Sequence, residues 1–350
     1  MEKVVKRDVR IDILRCIAIV AIILAHSEPS GLIFQLRNFD VILMVLLLGT
    51  SFYLSNTKKK QTVSYPVYLG KRFKRLIVPT WIFLTVFFVL FYIISLIEGT
   101  KYYFNFNDVF MSYSMFDESK GIGYVWIMKV FFLIALVSPF LLKLNQKFES
   151  NTKYFLILIS SYVGYALLQL LNPILTGSFQ VFFENFILYG IGYGLVAAFG
   201  MRLKLLSKKE LYTWTIAFLM MFLFFSWHYH FNSTQHYKYP PQLYYISYGM
   251  FVSLFLYIVL NITRIQSLFN NKFIMFIAQN SIWLYFWHII FIYLLKFFGD
   301  EFSMFNNNFV TRFAFIFVCA LVVTYVHDLL KKKLYHPSQR VRVLGKTSVK

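Results

Sequence analysis

The chain has 350 residues, of which 59% are hydrophobic, 21% aromatic and only 14% charged. A soluble domain carries roughly a quarter charged residues and about half apolar ones, so an ordinary soluble enzyme is excluded. The formal net charge of +20 leaves two readings, a nucleic-acid partner or the charge asymmetry of a membrane protein.

Apolar stretches of about 17–25 residues, the length that a bilayer core of roughly 30 Å demands of a helix, recur from end to end. Hydrocarbon offers backbone groups no partners, so each stretch is expected as a helix. In chain order the expected spans are 11–27, 39–56, 78–98, 123–142, 154–172, 181–200, 211–231, 243–262, 273–297 and 309–330. The expectation is an all-α integral membrane protein, a bundle of about ten transmembrane helices. No repeat, low-complexity segment or linker divides it, so residues 1–350 read as one domain with a basic tail at 331–350. Cys16 and Cys319 both fall inside expected spans and form no disulfide framework.

Charge placement orients the bundle. With the N-terminus inside, 28 of the 35 Lys and Arg lie in the N-terminal segment, the even-numbered loops and the tail. Five (Arg37, Lys101, Lys120, Lys238 and Lys296) lie in or beside the opposite loops, and Lys129 and Arg312 sit within spans. This is the positive-inside pattern, with both termini cytoplasmic in a multi-pass protein of the plasma or inner membrane. Together with attraction to anionic lipid head groups it accounts for the basic excess, and nucleic-acid binding has no support.

The first span opens on basic residues and ends on Ala25-His26-Ser27, which formally resembles a signal peptide with a small-x-small cleavage site. Asp12 and Arg15 stand where a secretory signal would be apolar, so the segment reads as a retained helix packed inside the bundle. Arg15 and His26 are eleven residues apart, three turns plus about 20°, and share one helix face roughly 16 Å apart along the axis. A cation near the cytoplasmic mouth below a titratable imidazole suits an anionic cosubstrate entering from inside. The same two residues could equally be an interfacial cation and an interfacial cap.

The loop expected at 57–77 holds Lys58, Lys59, Lys60, Lys71, Arg72, Lys74 and Arg75 and ends at Pro79, where the third span is expected to begin. Arg72 and Arg75, three apart, share a helix face, and guanidinium groups bind phosphate in a bidentate way that lysine cannot match. Lipid contact is the plainer reading of this patch. In the expected outer loop at 99–122 stand Asp108, Asp117 and Glu118. Lys129 in the fourth span and Glu184 in the sixth are costly in a membrane and could partner one another or a substrate. His228 and His230 read as interfacial. In the ninth span Ser281, Tyr285 and His288 fall at i, i+4 and i+7, one polar stripe that is either a site element or a satisfied structural network. No spacing assembles the ligands of a metal site.

Taken in order, these features resemble the membrane-bound acyltransferase 3 family along nearly the whole chain. The resemblance is carried by Leu14-Arg15-Cys16-Ile17-Ala18 with His26, by Arg72-Phe73-Lys74-Arg75 before Pro79, and by Asn280-Ser281 through Tyr285 to His288. The Trp126 region and Phe186-Ile187-Leu188-Tyr189-Gly190 are also similar to family patterns. The second span departs, reading Leu46-Leu47-Leu48-Gly49-Thr50-Ser51-Phe52 where the family commonly has Phe-Phe-x-x-Ser-Gly. Many relatives carry a C-terminal hydrolase-like domain, whereas this sequence stops after the Lys331-Lys332-Lys333 tail and resembles a stand-alone form.

The resemblance implies O-acyl transfer, most often acetyl, from cytoplasmic acyl-coenzyme A to a sugar hydroxyl of a surface polysaccharide or its lipid-linked precursor. With it His26 is expected to be catalytic, Arg15, Arg72 and Arg75 to hold the phosphates of acyl-CoA, and Ser281, Tyr285 and His288 to form a supporting polar network, to which Glu184 is added as a costly intramembrane carboxylate. The expected partners are therefore membrane lipid, a glycan acceptor and coenzyme A, with no permanently bound cofactor. Tyr244 and Tyr245 would suit sugar stacking at the outer end. From the residues alone, a transporter, flippase or polymerase of a lipid-linked glycan stays open.

Overall fold

The computed structural model describes residues 8–56, 64–116 and 121–335. Lys58, Lys59 and Lys60 of the basic loop and Asp117, Glu118 and Lys120 of the next loop lie outside the described residues. Helix α1 (Val9–Ala25) leads through the short α2 (Gly31–Leu36) into α3 (Asp40–Asn56). Next come α4 (Tyr65–Ile97), α5 (Phe106–Ser114), α6 (Trp126–Lys147) and α7 (Asn151–Gln169). A π-helical stretch, Phe183–Leu188, joins α8 (Gly177–Phe182) to α9 (Tyr189–Arg202). The chain continues as α10 (Lys208–His228), α11 (Leu243–Val259), α12 (Thr263–Phe269), α13 (Lys272–Gln279), α14 (Ser281–Phe297), α15 (Ser303–Asn306) and α16 (Phe309–Tyr335).

Among the described residues there is no strand. Among the described residues seven helical stretches are long and apolar enough to cross a bilayer, or nine if each of two bent pairs counts as one span. The protein is thus an all-α, multi-pass membrane protein. At 17 residues, about 26 Å of rise, α1 stands at the lower edge of a spanning length.

Three expected elements are redrawn. The stretch expected as a loop up to residue 77 is helical from Tyr65, and α4 runs unbroken for 33 residues, about 50 Å. A proline at its first turn suits helix initiation, and Pro79 is absorbed inside the helix rather than starting it. Lys71, Arg72, Lys74 and Arg75 therefore project from a helix that outruns the bilayer core. The expected single span at 273–297 is broken at Asn280, where α13 and α14 meet at 79°. There the Asn280 amide donates to the Phe276 carbonyl at 3.1 Å, the kind of local side-chain bond that competes with helix continuation. Finally, the span expected to begin at 181 begins at Gly177 and passes through the π-helical stretch.

The core of the bundle is the α3–α9 crossing. A Cβ on Gly49 would fall 1.9 Å from the Ala197 carbonyl oxygen, and one on Gly200 2.1 Å from that of Leu46. Only glycine allows the two backbones so close, the usual device for helix packing where no hydrophobic drive exists. The Thr50 hydroxyl completes the contact by donating to the Gly200 carbonyl at 2.8 Å. In contrast, only 17% of the most apolar part of α16 is buried against 72% for the α8–α9 span. Helix α16 accordingly lies on the lipid-facing perimeter.

Polar ties close the two ends. At the basic end Asp8 caps α1 by accepting from the Arg10 N–H at 3.1 Å and pairs with the side chains of Arg10 and Lys204. Burial pushes its carboxyl up, but the bonds from Arg10 and Lys204 outweigh that and hold it below the usual carboxylate range. Arg202, buried, donates to Asn151 Oδ1 at 2.6 Å and to the Asn145 carbonyl at 3.0 Å, pinning the α6–α7 turn. At the far end Gln35 Oε1 accepts from the Thr234 N–H at 3.0 Å, and Tyr248 donates to the Leu36 carbonyl at 2.7 Å.

Candidate active site

One face of α1 organises the site. Arg15, Ile19, Ile22 and His26 stand at i, i+4, i+7 and i+11, a single stripe along the helix. The first three line a cavity of about 440 Å³ that opens at the basic end. Ile22 and His26 line a second pocket of about 170 Å³ at the far end. Ile22, Ile127 and Tyr285 border both, so these three side chains form the partition between the chambers.

The larger cavity brings together Arg15, Arg72, Arg75, Ser281 and Tyr285. Arg15 donates to Asp12 at 3.2 Å and to the Ser51 hydroxyl at 3.3 Å, which sets its guanidinium at the rim. Arg72, part-buried, lies over the Tyr68 ring at 5.1 Å and the Phe52 ring at 5.6 Å. Arg75 is exposed.

The basic turns of α4 are held in place by a proline. Pro139 inside α6 has no N–H to give the carbonyl of Ala135, four residues back, and the Tyr68 hydroxyl takes that carbonyl at 2.9 Å. Tyr65 donates to the next carbonyl, that of Leu136, at 3.0 Å. Further in, the cavity wall is apolar, from Met44, Leu47, Met128 and Phe131. Charge at the mouth with an apolar throat is what a phosphorylated head on a long thin arm requires.

His26 caps the C-terminus of α1, its N–H bonded to the Ile23 carbonyl at 3.1 Å. The following turn passes through Glu28 at φ 53°, and Glu28 pairs with Arg312. The imidazole meets the Tyr124 ring edge-on at 4.6 Å between centroids and lies 5.3 Å from the His288 ring. His288 is fully buried, and its Nδ1 contacts the carbonyl of Tyr285. A carbonyl only accepts, so Nδ1 carries the proton and Nε2 of the neutral ring offers a lone pair. That Nε2 is buried without a partner. The Tyr285 hydroxyl donates to the Tyr124 carbonyl, which locks the tyrosine of the partition between the two histidines' helices.

Glu184 stands apart from both chambers and accepts from Asn172 at 3.0 Å. Its neighbour Asn185, rather than Glu184, accepts from Lys129 at 2.6 Å. Tyr244 and Tyr245, at 3% and 0% exposure, are packed inside and do not line the far pocket. The aromatic walls there are Trp126, Phe34 and Tyr239. Sequence reasoning did not place Arg37, Asp40, Lys238 or Gln235 at the site, although all four line the far pocket with His26. Two of them, Arg37 and Lys238, stand out in the sequence as cations on the wrong side of the charge asymmetry. Among the described residues no group of three or more His, Cys, Asp or Glu could hold a metal ion.

A helical stripe that runs from a basic mouth to a histidine pair joins two adjoining cavities inside a membrane protein. The family model described as acyltransferase domain matches residues 8–329. The chain belongs to this acyltransferase 3 family and is a membrane acyltransferase. No curated protein matches the chain significantly, and neither does any solved structure.

Proposed function

We propose that this acyltransferase moves an acyl group, most simply acetyl, from cytoplasmic acyl-CoA to a sugar hydroxyl of a surface polysaccharide or its lipid-linked precursor. The observation that carries this reading is the continuous α1 stripe from Arg15 to His26 through two adjoining chambers. In it α1 is the first of ten crossings, the basic end is cytoplasmic and the far end faces outward, as the lysine and arginine distribution favours.

Arg72, Arg75 and Arg15 hold the phosphates of coenzyme A at the mouth, where guanidinium–phosphate bonds are strong and directional. The pantetheine arm lies along the apolar throat and brings the thioester to the partition at Ile22, Ile127 and Tyr285. His26 takes the proton of the acceptor hydroxyl as its oxygen attacks the thioester carbonyl. The C–S bond breaks, the ester forms, and the coenzyme A thiolate leaves and is reprotonated. His288, its tautomer set by the Tyr285 carbonyl, keeps Nε2 free to accept from the His26 ring once that ring has taken the proton, and so orients it. His26 could instead carry the acyl group covalently between donor and acceptor.

Inverted membrane vesicles given acetyl-labelled acetyl-CoA test the reading. Vesicles with the parent protein should place label on glycan, and those with His26→Ala should not, at equal protein abundance. Glycan export by His26→Ala and parent alike, with no label transferred by either, would make the protein a translocator. Label retained on protein in the absence of acceptor would identify the covalent route. Reporter fusions at residues 65, 145 and 205 should report cytoplasm and those at 110 and 237 the exterior. One outward report from residue 65 would overturn the orientation.

A further inference from the structure

Among the described residues, a buried donor and a buried acceptor on the wall of the far pocket have no hydrogen-bond partner. The donor is Nε of Arg37, a residue only 5% exposed. Arg37 gives Nη1 to Asp40 at 3.0 Å and lays its guanidinium on the Phe34 ring at 3.7 Å. Its charge is thus matched and its plane is held from two sides, which leaves the Nε edge. The acceptor is the side-chain oxygen of Gln235. One clasp sets both groups. Asn38, next to Arg37, donates to the hydroxyl of Thr234, next to Gln235, at 2.7 Å, and the Thr234 N–H donates to Gln35 at 3.0 Å. On the same pocket the rings of Trp126 and Tyr239 meet edge-on at 5.0 Å and 80°.

A buried donor and a buried acceptor without partners each carry the cost of their own desolvation. A hydroxyl answers both, because its oxygen accepts from an N–H and its hydrogen goes to an amide oxygen. An ionised carboxylate only accepts and would leave the Gln235 oxygen bare. At about 170 Å³ the pocket lies below the roughly 300–1,000 Å³ of drug-sized sites, so it takes one small unit. The Trp126–Tyr239 corner gives the C–H faces of that unit an apolar wall. His26 lines the same pocket, within reach of the same small unit.

Resting on acyl transfer as the reaction of the site, we propose that Arg37 and Gln235 are specificity-determining residues that hold a free hydroxyl of the acceptor, beside the hydroxyl that His26 deprotonates. Because the pocket takes one unit, the two hydroxyls are neighbours on one ring, and the substrate class is a ring carrying a vicinal diol, as a sugar does. The product no longer matches. An ester in the held position has no hydrogen for Gln235, so each unit takes one acyl group. An ordered water that satisfies both groups and reads nothing is the competing outcome.

The test gives the full-length protein in nanodiscs labelled acetyl-CoA and three ring probes, cyclohexanol and the cis and trans vicinal diols of cyclohexane. Per hydroxyl, the parent should acetylate at least one diol roughly ten- to a hundredfold faster than cyclohexanol, the weight of a buried group left unpaired, and should stop at the monoester. Arg37→Lys keeps a cation for Asp40 without the side-on N–H, and Gln235→Leu removes the acceptor. Each should lose the preference, whereas Gln235→Glu keeps an acceptor oxygen and should retain much of it. Stabilisation by coenzyme A shows that a variant is folded, and the comparison within the parent needs no variant. Equal rates for the alcohol and the diols, transfer to none of them, or diester forming as readily as monoester would overturn the proposal. So would a preference that survives both Arg37→Lys and Gln235→Leu. Label on membrane glycan is scored separately in inverted vesicles. Glycan labelled while no diol is preferred strikes this proposal alone, and no label on any acceptor removes the acyl-transfer reading beneath it.

Discussion

The cavity at the basic end is walled by long runs of helix from α1, α3, α4 and α6, whereas the far pocket draws several of its polar groups from helix ends and turns. Arg37 comes from the α2–α3 connection, Trp126 from the start of α6, and Gln235 and Lys238 from the Thr234–Tyr237 turn and its edge. The first chamber carries its charges at the rim, part-buried or exposed, and the second carries them inside. A rim of solvated cations suits a mobile polyanion that must enter and leave. A buried cluster suits discrimination, because its charges are screened little and tolerate few wrong partners.

If the far chamber is where bonds change, its loss should outweigh anything done to the near one. His26→Ala should lower turnover by about a hundred- to ten-thousand-fold for a general base, and further for a covalent carrier. His26→Gln should be as inactive, since it keeps polarity without basicity. Coenzyme A binding should persist in both, measured by thermal stabilisation of protein at matched abundance. Full esterification by His26→Ala would move the chemistry to His288.

The partition is the next place to separate the chambers. Ile22→Trp fills the passage between them without touching either set of charges. Turnover should fall about hundredfold, the effect of misplacing a reacting group by roughly 1 Å, while coenzyme A still binds. Unchanged turnover would mean that the thioester does not pass this point.

His288 tests whether the far histidines act as a pair. His288→Asn keeps a side-chain donor for the Tyr285 carbonyl but offers no imidazole lone pair. Loss of one bond to a charged ring is about 1.5–3 kcal/mol, so turnover should drop roughly ten- to hundredfold. The pH profile of turnover should change with it, a readout that simple loss of packing would leave in place. An unaltered profile would reduce His288 to a packing residue.

The same contrast between chambers decides what was legible in the sequence. Helical periodicity is local, so the Arg15–His26 stripe, the Arg72–Arg75 face and the Ser281-Tyr285-His288 stripe could all be read from spacing. Family motifs then named the class. The far pocket brings together residues more than two hundred positions apart, and no periodicity links Arg37 to Lys238. Their only trace was topological, as cations on the side that should lack them. Proximity of His26 to His288 was equally hidden, because it depends on the 79° break at Asn280, which hydropathy averages away. The 33-residue run of α4 was missed for a related reason, since the lysines and arginines that favour a loop also favour a helix in water.

The smallest expected effect lies at the basic rim, where the two arginines should not be equal. Arg72 is part-buried against Tyr68 and Phe52, so its guanidinium is pre-positioned and only partly screened. Arg72→Ala should weaken coenzyme A binding by about 1.5–3 kcal/mol. Arg75 is exposed, and exposed ion pairs contribute only about 0–1 kcal/mol, so Arg75→Ala should cost correspondingly less and its cost should fade with salt. Arg72→Lys keeps the charge without the bidentate fork and should recover only part of the loss. Equilibrium binding of coenzyme A at low and high ionic strength reads all three variants. Equal, salt-sensitive losses at both positions would mean that the rim acts as a diffuse basic field. No loss at either would leave it to lipid and turn the search for the donor phosphates to Arg10 and Lys204, which line the neighbouring cleft of about 1000 Å³.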